Sequence, residues 1–326
     1  MNGLVIRGSH SVFTVRIDGE GEERRYLECR IKGKILRGVD SYYNPLAPGD
    51  RVLVEAAGQE GRITALMERR TIFARKNQKA QGPGPGRDAQ ILAVNAGMVL
   101  AVTTPASPPF RPRFLDRILI QAEAAGIPAL ILLNKQDLWG GGEEGEEPLR
   151  DIEERLEDFL RCGYPVLRIS ARTGEGLGEL WEKVRGGTAV LAGQSGVGKS
   201  SIINALFPQA GARVGALNQK YDRGNHTTVL GELIEIPGGP GDTGETRIID
   251  TPGLRRFVPQ GIKAEEVVLY MREFAPLAGS CAYGLSCSHR GEAGCKILEA
   301  LSSGRIHRDR YDSFLRLSEE LKEGWK

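Results

Sequence analysis

The stretch Gly193-Gln194-Ser195-Gly196-Val197-Gly198-Lys199-Ser200 decides the fold. It follows the apolar run 188–191 and precedes the helical pattern 201–206 that begins at Ser201, so it sits at a strand-to-helix turn. Glycines at this spacing let successive backbone N–H groups turn inward on an anion, Lys199 supplies a point charge, and the Ser200 hydroxyl is a ligand for Mg²⁺. A loop of this kind in this context predicts a phosphate site on an α/β sheet.

Working outward, apolar runs at 98–102, 129–133, 165–169 and 188–191 alternate with helical patterns near 113–124, 148–161 and 177–184. Fully apolar strands separated by amphipathic helices imply a parallel sheet covered on both faces. Asn134-Lys135-Gln136-Asp137 ends the second run, at the carboxyl edge where such sheets bind ligands. A carboxylate at Asp137 accepts from both the ring N–H and the exocyclic amine of guanine, and adenine offers no such pair. Ser170-Ala171 would complete the base pocket with a backbone N–H. Asp250-Thr251-Pro252-Gly253 ends the run 247–249, so Asp250 can reach Mg²⁺ and the Gly253 N–H the γ-phosphate. Between them the polar stretch 211–228, ending Gly224-Asn225-His226-Thr227-Thr228, reads as a switch loop. Either Thr227 or Thr228 can close over Mg²⁺ and phosphate, and Thr228 with Ser200 and Asp250 forms the expected magnesium set.

At 326 residues the chain has length for two or three domains. Residues 4–75 alternate in short runs broken by Asp18-Gly19 and Pro48-Gly49-Asp50, as a small all-β unit does. Arg30, Lys32 and Lys34 share one face of a strand there; an oligonucleotide-binding barrel fits, as do several other small barrels. The Gly-Pro repeat within 79–87 reads as a linker, and the acidic, glycine-rich 140–147 as a solvated loop. The expected domains are 1–80, 81–256 and 257–326, the last helical. It carries Cys281, Cys287, His289 and Cys295 in a C-x5-C-x-H-x5-C pattern, a closed tetrahedral donor set for one structural Zn²⁺. Cys29 and Cys162 read as small core residues. Arg305, His307, Arg308 and Arg310, with Tyr311 and Phe314, form a candidate RNA-contacting helix.

Forty-four Lys and Arg against 42 Asp and Glu leave a formal charge of +2, so nucleic-acid binding would have to come from local patches. No run reaches the roughly 18–20 apolar residues of a membrane span, and no secretion signal is read at the amino terminus. A cytoplasmic location and a monomer are expected.

The motif order is unusual: base-selecting tetrapeptide, Ser170, phosphate loop, switch threonines, then Asp250 to Gly253, which implies a circularly permuted sheet. In this the chain resembles the circularly permuted GTPases of small ribosomal subunit biogenesis, the RsgA type, over nearly its whole length. The resemblance implies a GTPase that binds GTP and GDP with Mg²⁺, is stimulated by the small ribosomal subunit, and grips ribosomal RNA through its barrel and zinc unit during late maturation. It offers His226 as the group that positions or activates water, since Leu254 stands where Ras-like enzymes place a glutamine. Two departures from the family pattern stand at Ala96-Gly97 after Asn95 and at Asn225, where a basic residue is usual. Two other readings make different predictions: an RNA-binding assembly factor for which GTP is only a conformational ligand, and a GTPase acting on a protein partner away from the ribosome.

Overall fold

The computed structural model describes residues 1–9, 11–18, 25–32, 42–58, 60–77, 88–139, 146–208, 231–236 and 244–323. The first five strands are β1 (Asn2–Gly8), β2 (Phe13–Ile17), β3 (Arg25–Ile31), β4 (Arg51–Ala57) and β5 (Glu60–Leu66). They run in the order β1-β2-β3-β5-β4, and β4 pairs back onto β1, so the sheet closes into a barrel without free edges. Alternation drives this: in Phe13-Thr14-Val15-Arg16-Ile17 the odd positions are buried, and they meet Val5, Leu27, Val52 and Ile63 inside. Cys29 lies in that core, where burial pushes its thiol up to about 11.

The second sheet unit contains β8 (Met98–Thr103), β9 (Ala129–Leu133), β10 (Val166–Arg168), β11 (Thr188–Gly193), β12 (Glu232–Ile236) and β13 (Thr246–Asp250), in the order β10-β9-β8-β11-β13-β12. Pairings from β10 to β13 are parallel, as expected. β12 is antiparallel to β13, because only residues 237–245 join them and a parallel return needs a crossover of a dozen or more residues. Helix α1 (Pro112–Ala124) packs on one face through Leu115, Ile118 and Leu119. The other face takes α3 (Leu177–Val184) and α4 (Lys199–Leu206) through Leu180, Val184, Ile202 and Ile203; α2 (Glu146–Arg161) seats Ile152 and Leu156 beside Leu133. The barrel and this sheet are continuous: Arg7 of β1 pairs with Glu232 of β12, and Arg16 bonds Glu235 at 2.9 Å.

The expected division between residues 80 and 81 falls inside a strand pair. β6 (Ile72–Lys76) and β7 (Ala89–Val94) are antiparallel partners, and the linker residues 79–87 lie outside the described residues. Buried Asn44 clips the barrel side to β7, donating to the Ile91 carbonyl and accepting from the Ile91 N–H. The division at 256/257 is crossed as well, since Phe257 is fully buried between Phe73 and Phe114.

Beyond it the chain is less helical than its pattern suggests. Two α-helices, α5 (Lys296–Ser302) and α6 (Arg308–Glu323), are preceded by 3-10 turns at Ala264–Tyr270, Ala275–Leu277 and Gly284–Ser286. Pro276, Gly279 and Gly284 interrupt any longer helix. This unit docks on α1 through Ile120 and through Arg310, which is buried between Asp116 and Glu273.

Candidate nucleotide and metal sites

β11 delivers Gly193 and Gln194, and α4 starts at Lys199, so residues 193–200 form the strand-to-helix turn expected of them. Val197 is tucked into the core beneath the turn, which fixes the loop while Ser195 and Gly196 remain exposed. Lys199 is buried and donates to the carbonyls of Gly193 and Gln194, each at 3.1 Å. Burial lowers its pKa, and Asp250 opposes that shift. Ser200 Oγ donates to Asp250 Oδ2 at 3.1 Å, while Asp250 Oδ1 is buried with no hydrogen-bond partner among the described residues. Burial raises the Asp250 pKa against the Ser200 hydrogen bond and the Lys199 charge. A hydroxyl and an orphaned carboxylate oxygen beside the phosphate loop fit a magnesium site; a bound ion would neutralise charge on the β and γ oxygens. Ser201 follows on the exposed side of α4.

The segment after β13 closes onto the same turn. Leu254 N donates to Gly193 O at 3.2 Å, and a Cβ on Gly253 would lie only 2.7 Å from Ser195 Cα, so only glycine allows this approach. The Leu254 side chain enters the core and takes no part in water chemistry. Thr251 Oγ1 donates to Leu191 O at 2.6 Å, anchoring the segment to β11.

The tetrapeptide 134–137 and the Ser170-Ala171 turn also meet this loop. Fully buried Asn134 donates from Nδ2 to Val197 O at 2.9 Å and accepts at Oδ1 from Ala171 N at 3.1 Å. One side chain thus ties the phosphate loop to the Ser170-Ala171 turn. A Cβ at Gly198 would stand 2.4 Å from that Nδ2, and its φ of +91° also favours glycine. Ser170 Oγ donates to Asp137 Oδ1 at 2.6 Å, which turns the carboxylate beside the loop, and exposed Arg172 pairs with Oδ2 at 3.5 Å. Lys135 adopts left-handed backbone (φ 63°) and its Nζ bonds Ser107 O.

Ser107 and Pro108 were not singled out from the sequence. They lie on the turn after β8, and Pro108 Cδ comes within 3.6 Å of a Cβ position on Gly196. The signal available was the proline-rich run 105–112 at the carboxyl end of an apolar strand. His226, Thr227 and Thr228 lie outside the described residues, as does Lys34. Arg30 and Lys32 are exposed on the barrel, and Lys32 pairs with Glu55 at 2.9 Å.

The second cluster is closed. Cys281, Cys287, His289 and Cys295 are all buried, and their donor atoms lie within 4.8 Å of one another. Cys281 Sγ is 3.9 Å from Cys295 Sγ and 3.6 Å from His289 Nδ1, and that nitrogen is 3.4 Å from Cys295 Sγ. Tetrahedral zinc with about 2.3 Å bonds to sulfur requires donor separations of about 3.8 Å. The donors fit one zinc ion, which would be structural because no position is left open. Tyr311 OH donates to His289 O at 2.6 Å, and Lys296 N donates to Cys281 Sγ at 3.3 Å. The expected RNA-contacting helix face is only partly available: Arg310, Tyr311 and Phe314 are buried, Arg310 by its two carboxylates, which leaves Arg305 and Arg308 exposed.

The RsgA GTPase family profile matches residues 66–259. A Bacteroides fragilis protein named small ribosomal subunit biogenesis GTPase RsgA is 34% identical over 327 residues, covering 99% of this chain and 98% of its own. The Azotobacter vinelandii protein of the same name is 36% identical, covering 99% and 86%. Among solved structures, YjeQ from Thermotoga maritima matches with a TM-score of 0.68 at 27% identity, covering 100% of this chain and 99% of that one. YloQ, a circularly permuted GTPase, matches at 0.65 and 25%, covering 99% and 95%. With residues 134–137 and its phosphate loop joined in permuted order, the chain belongs to the RsgA GTPase family.

Proposed function

We propose that this GTPase acts on the small ribosomal subunit, hydrolysing GTP when bound there and so timing its own release during late maturation. The observation that carries the reading is the Asn134 bridge, which ties the Ser170-Ala171 turn to the phosphate-loop residue Val197 and so supports a single nucleotide site. In this reading Asp137 and Ser170-Ala171 select guanine. Residues 193–201 with Gly253 hold the phosphates, and Ser200, Asp250 and one of the switch threonines, Thr228 or Thr227, hold Mg²⁺. The relatives named above are described as small ribosomal subunit biogenesis GTPases, which supports the partner. The exposed Arg30 and Lys32, with Lys34, form the barrel's RNA face.

His226 positions the attacking water. Leu254 is buried in the core, so the usual position for that group offers none. Intrinsic hydrolysis is slow because charge stabilisation is left to an incomplete site until the subunit binds, and His226→Ala keeps GTP affinity while lowering subunit-stimulated turnover about tenfold or more. The test is GTPase rate with and without purified small subunits, paired with cosedimentation in GDP and in a non-hydrolysable GTP analogue. Stimulated turnover and retention by the analogue are expected; a rate indifferent to subunits removes the proposal.

A further inference from the structure

A second cavity, of about 530 Å³, lies away from the phosphate loop, between α1, α6 and residues 255–257. Its size falls within the roughly 300–1,000 Å³ of ligand clefts. Six guanidiniums line it, from Arg111, Arg113, Arg117, Arg155, Arg255 and Arg256, against two carboxylates, Asp309 and Glu320. The carboxylates are already used: Glu320 pairs with Arg117 at 2.5 Å and Asp309 with Arg155 at 3.4 Å. Arg111, Arg113 and Arg255 are exposed at the rim and make no ion pair among the described residues. Arg155 is 95% buried; its Nη1 meets Asp158 at 3.2 Å and His307 Nδ1 at 2.9 Å, while its Nε and Nη2 are buried without a hydrogen-bond partner among the described residues. A buried guanidinium with unmet donors is costly unless an acceptor meets it, and a planar fork of this kind matches phosphate oxygens.

Both walls of the cleft run directly from the nucleotide site. Arg255 and Arg256 follow Gly253 and the Leu254–Gly193 bond, and Arg75 Nη1 holds the Arg256 carbonyl at 3.2 Å. Arg111 and Arg113 open α1, reached through the Ser107-Pro108 turn that Lys135 contacts. We propose that this cleft binds the phosphates of a single-stranded RNA segment, with an affinity set by the nucleotide state through residues 253–256. A single strand is specified because its backbone can turn a phosphate inward to Arg155, with a base against partly buried Phe110, whereas a duplex keeps its phosphates on a convex rim. This inference rests on the RNA partner of the proposed function and gives that partner a site apart from the barrel face.

The test measures binding of a labelled single-stranded RNA of about 16 nucleotides to the full chain by fluorescence anisotropy. It is run across salt, with GDP and with the non-hydrolysable GTP analogue. The comparison is between wild type and the triple variant Arg111→Ala, Arg113→Ala, Arg255→Ala, all exposed positions, with GDP affinity and melting temperature as folding controls. The triple variant is expected to lose about tenfold or more in affinity, and its log–log salt slope to become shallower by about 2, three contacts at roughly 0.7 each. The ratio of affinities in the two nucleotide states should collapse toward one in the same variant. Wild-type affinity and slope in the triple variant would overturn the site, as would a poly-glutamate peptide that displaces the RNA at equal charge concentration. An unchanged nucleotide ratio would overturn the coupling. Failure of small subunits to stimulate turnover, with RNA binding still lost in the variant, would remove the proposed function and leave the cleft standing.

Discussion

The nucleotide site and the cysteine cluster are both built from polar groups held in a hydrophobic frame, yet they are finished to different degrees. Around Cys281, Cys287, His289 and Cys295 every donor is buried, all lie within 4.8 Å of one another, and those of Cys281, His289 and Cys295 are already near the separations tetrahedral zinc requires. Around the phosphate loop the groups are gathered but not satisfied: Lys199 rests on two loop carbonyls and Asp250 Oδ1 has no partner among the described residues. A closed donor set specifies a fold, because nothing can enter or leave without unfolding the loop. An open one specifies a reaction, because its polar groups gain most when a ligand arrives.

Metal loss is the largest effect this contrast predicts. Cys295→Ala, or prolonged chelation, should unfold residues 281–302 and give a separate, lower thermal transition, since structural zinc sites supply apparent binding energies of about 10 kcal/mol. Elemental analysis should find one zinc in the wild-type chain and none in the variant, while GDP affinity stays near the wild-type value. A zinc-free chain melting in the wild-type transition would break the contrast. Lys199→Met should do the reverse. GDP affinity is expected to fall about 100-fold, the size of two charged hydrogen bonds at roughly 1.5 kcal/mol each. The melting temperature without nucleotide should hold or rise, because a buried ammonium on neutral carbonyls is incompletely compensated. A drop in melting temperature would mean the lysine is part of the frame.

The motifs of both sites were legible from the sequence because each motif is carried by residues close together in the chain, although the nucleotide site itself joins segments as distant as Asn134 and Val197. Glycines and a lysine in one turn, and three cysteines with a histidine in one loop, need no tertiary knowledge to be grouped. What sequence reading missed depends on which elements meet and in which direction. Alternating apolar runs gave the parallel sheet but not antiparallel β12, whose direction follows from the short 237–245 connection. The Gly-Pro repeat suggested a division at residue 80, yet β6 and β7 pair across it, because local turn chemistry says nothing about which strands meet afterwards. Arg310 looked like a surface cation on a charged helix. Its burial depends on Asp116 and Glu273, whose positions no helical periodicity reveals. The six-arginine cleft is hidden in the same way, assembled from residues 111–117, 155 and 255–256.

Asn134→Ala gives the smallest effect and the sharpest division, because Asn134 belongs to both categories. Its side chain donates to Val197 O and accepts from Ala171 N inside the protein, with no ligand needed for either bond. Truncation leaves a buried carbonyl and a partly buried N–H unmet, so the free protein should lose about 2 kcal/mol of stability. The same change frees the Ser170-Ala171 turn and the phosphate loop from each other, so GDP affinity should fall about tenfold as well, from lost preorganisation. Lys199 should move affinity alone and Cys295 stability alone, whereas Asn134 should move both. If denaturant melts of the free variant match wild type while GDP binding weakens, the base-selecting half is completed only by the ligand. If stability falls and affinity holds, the two halves meet independently of Asn134, and the permuted order of the motifs must be held together by the sheet alone.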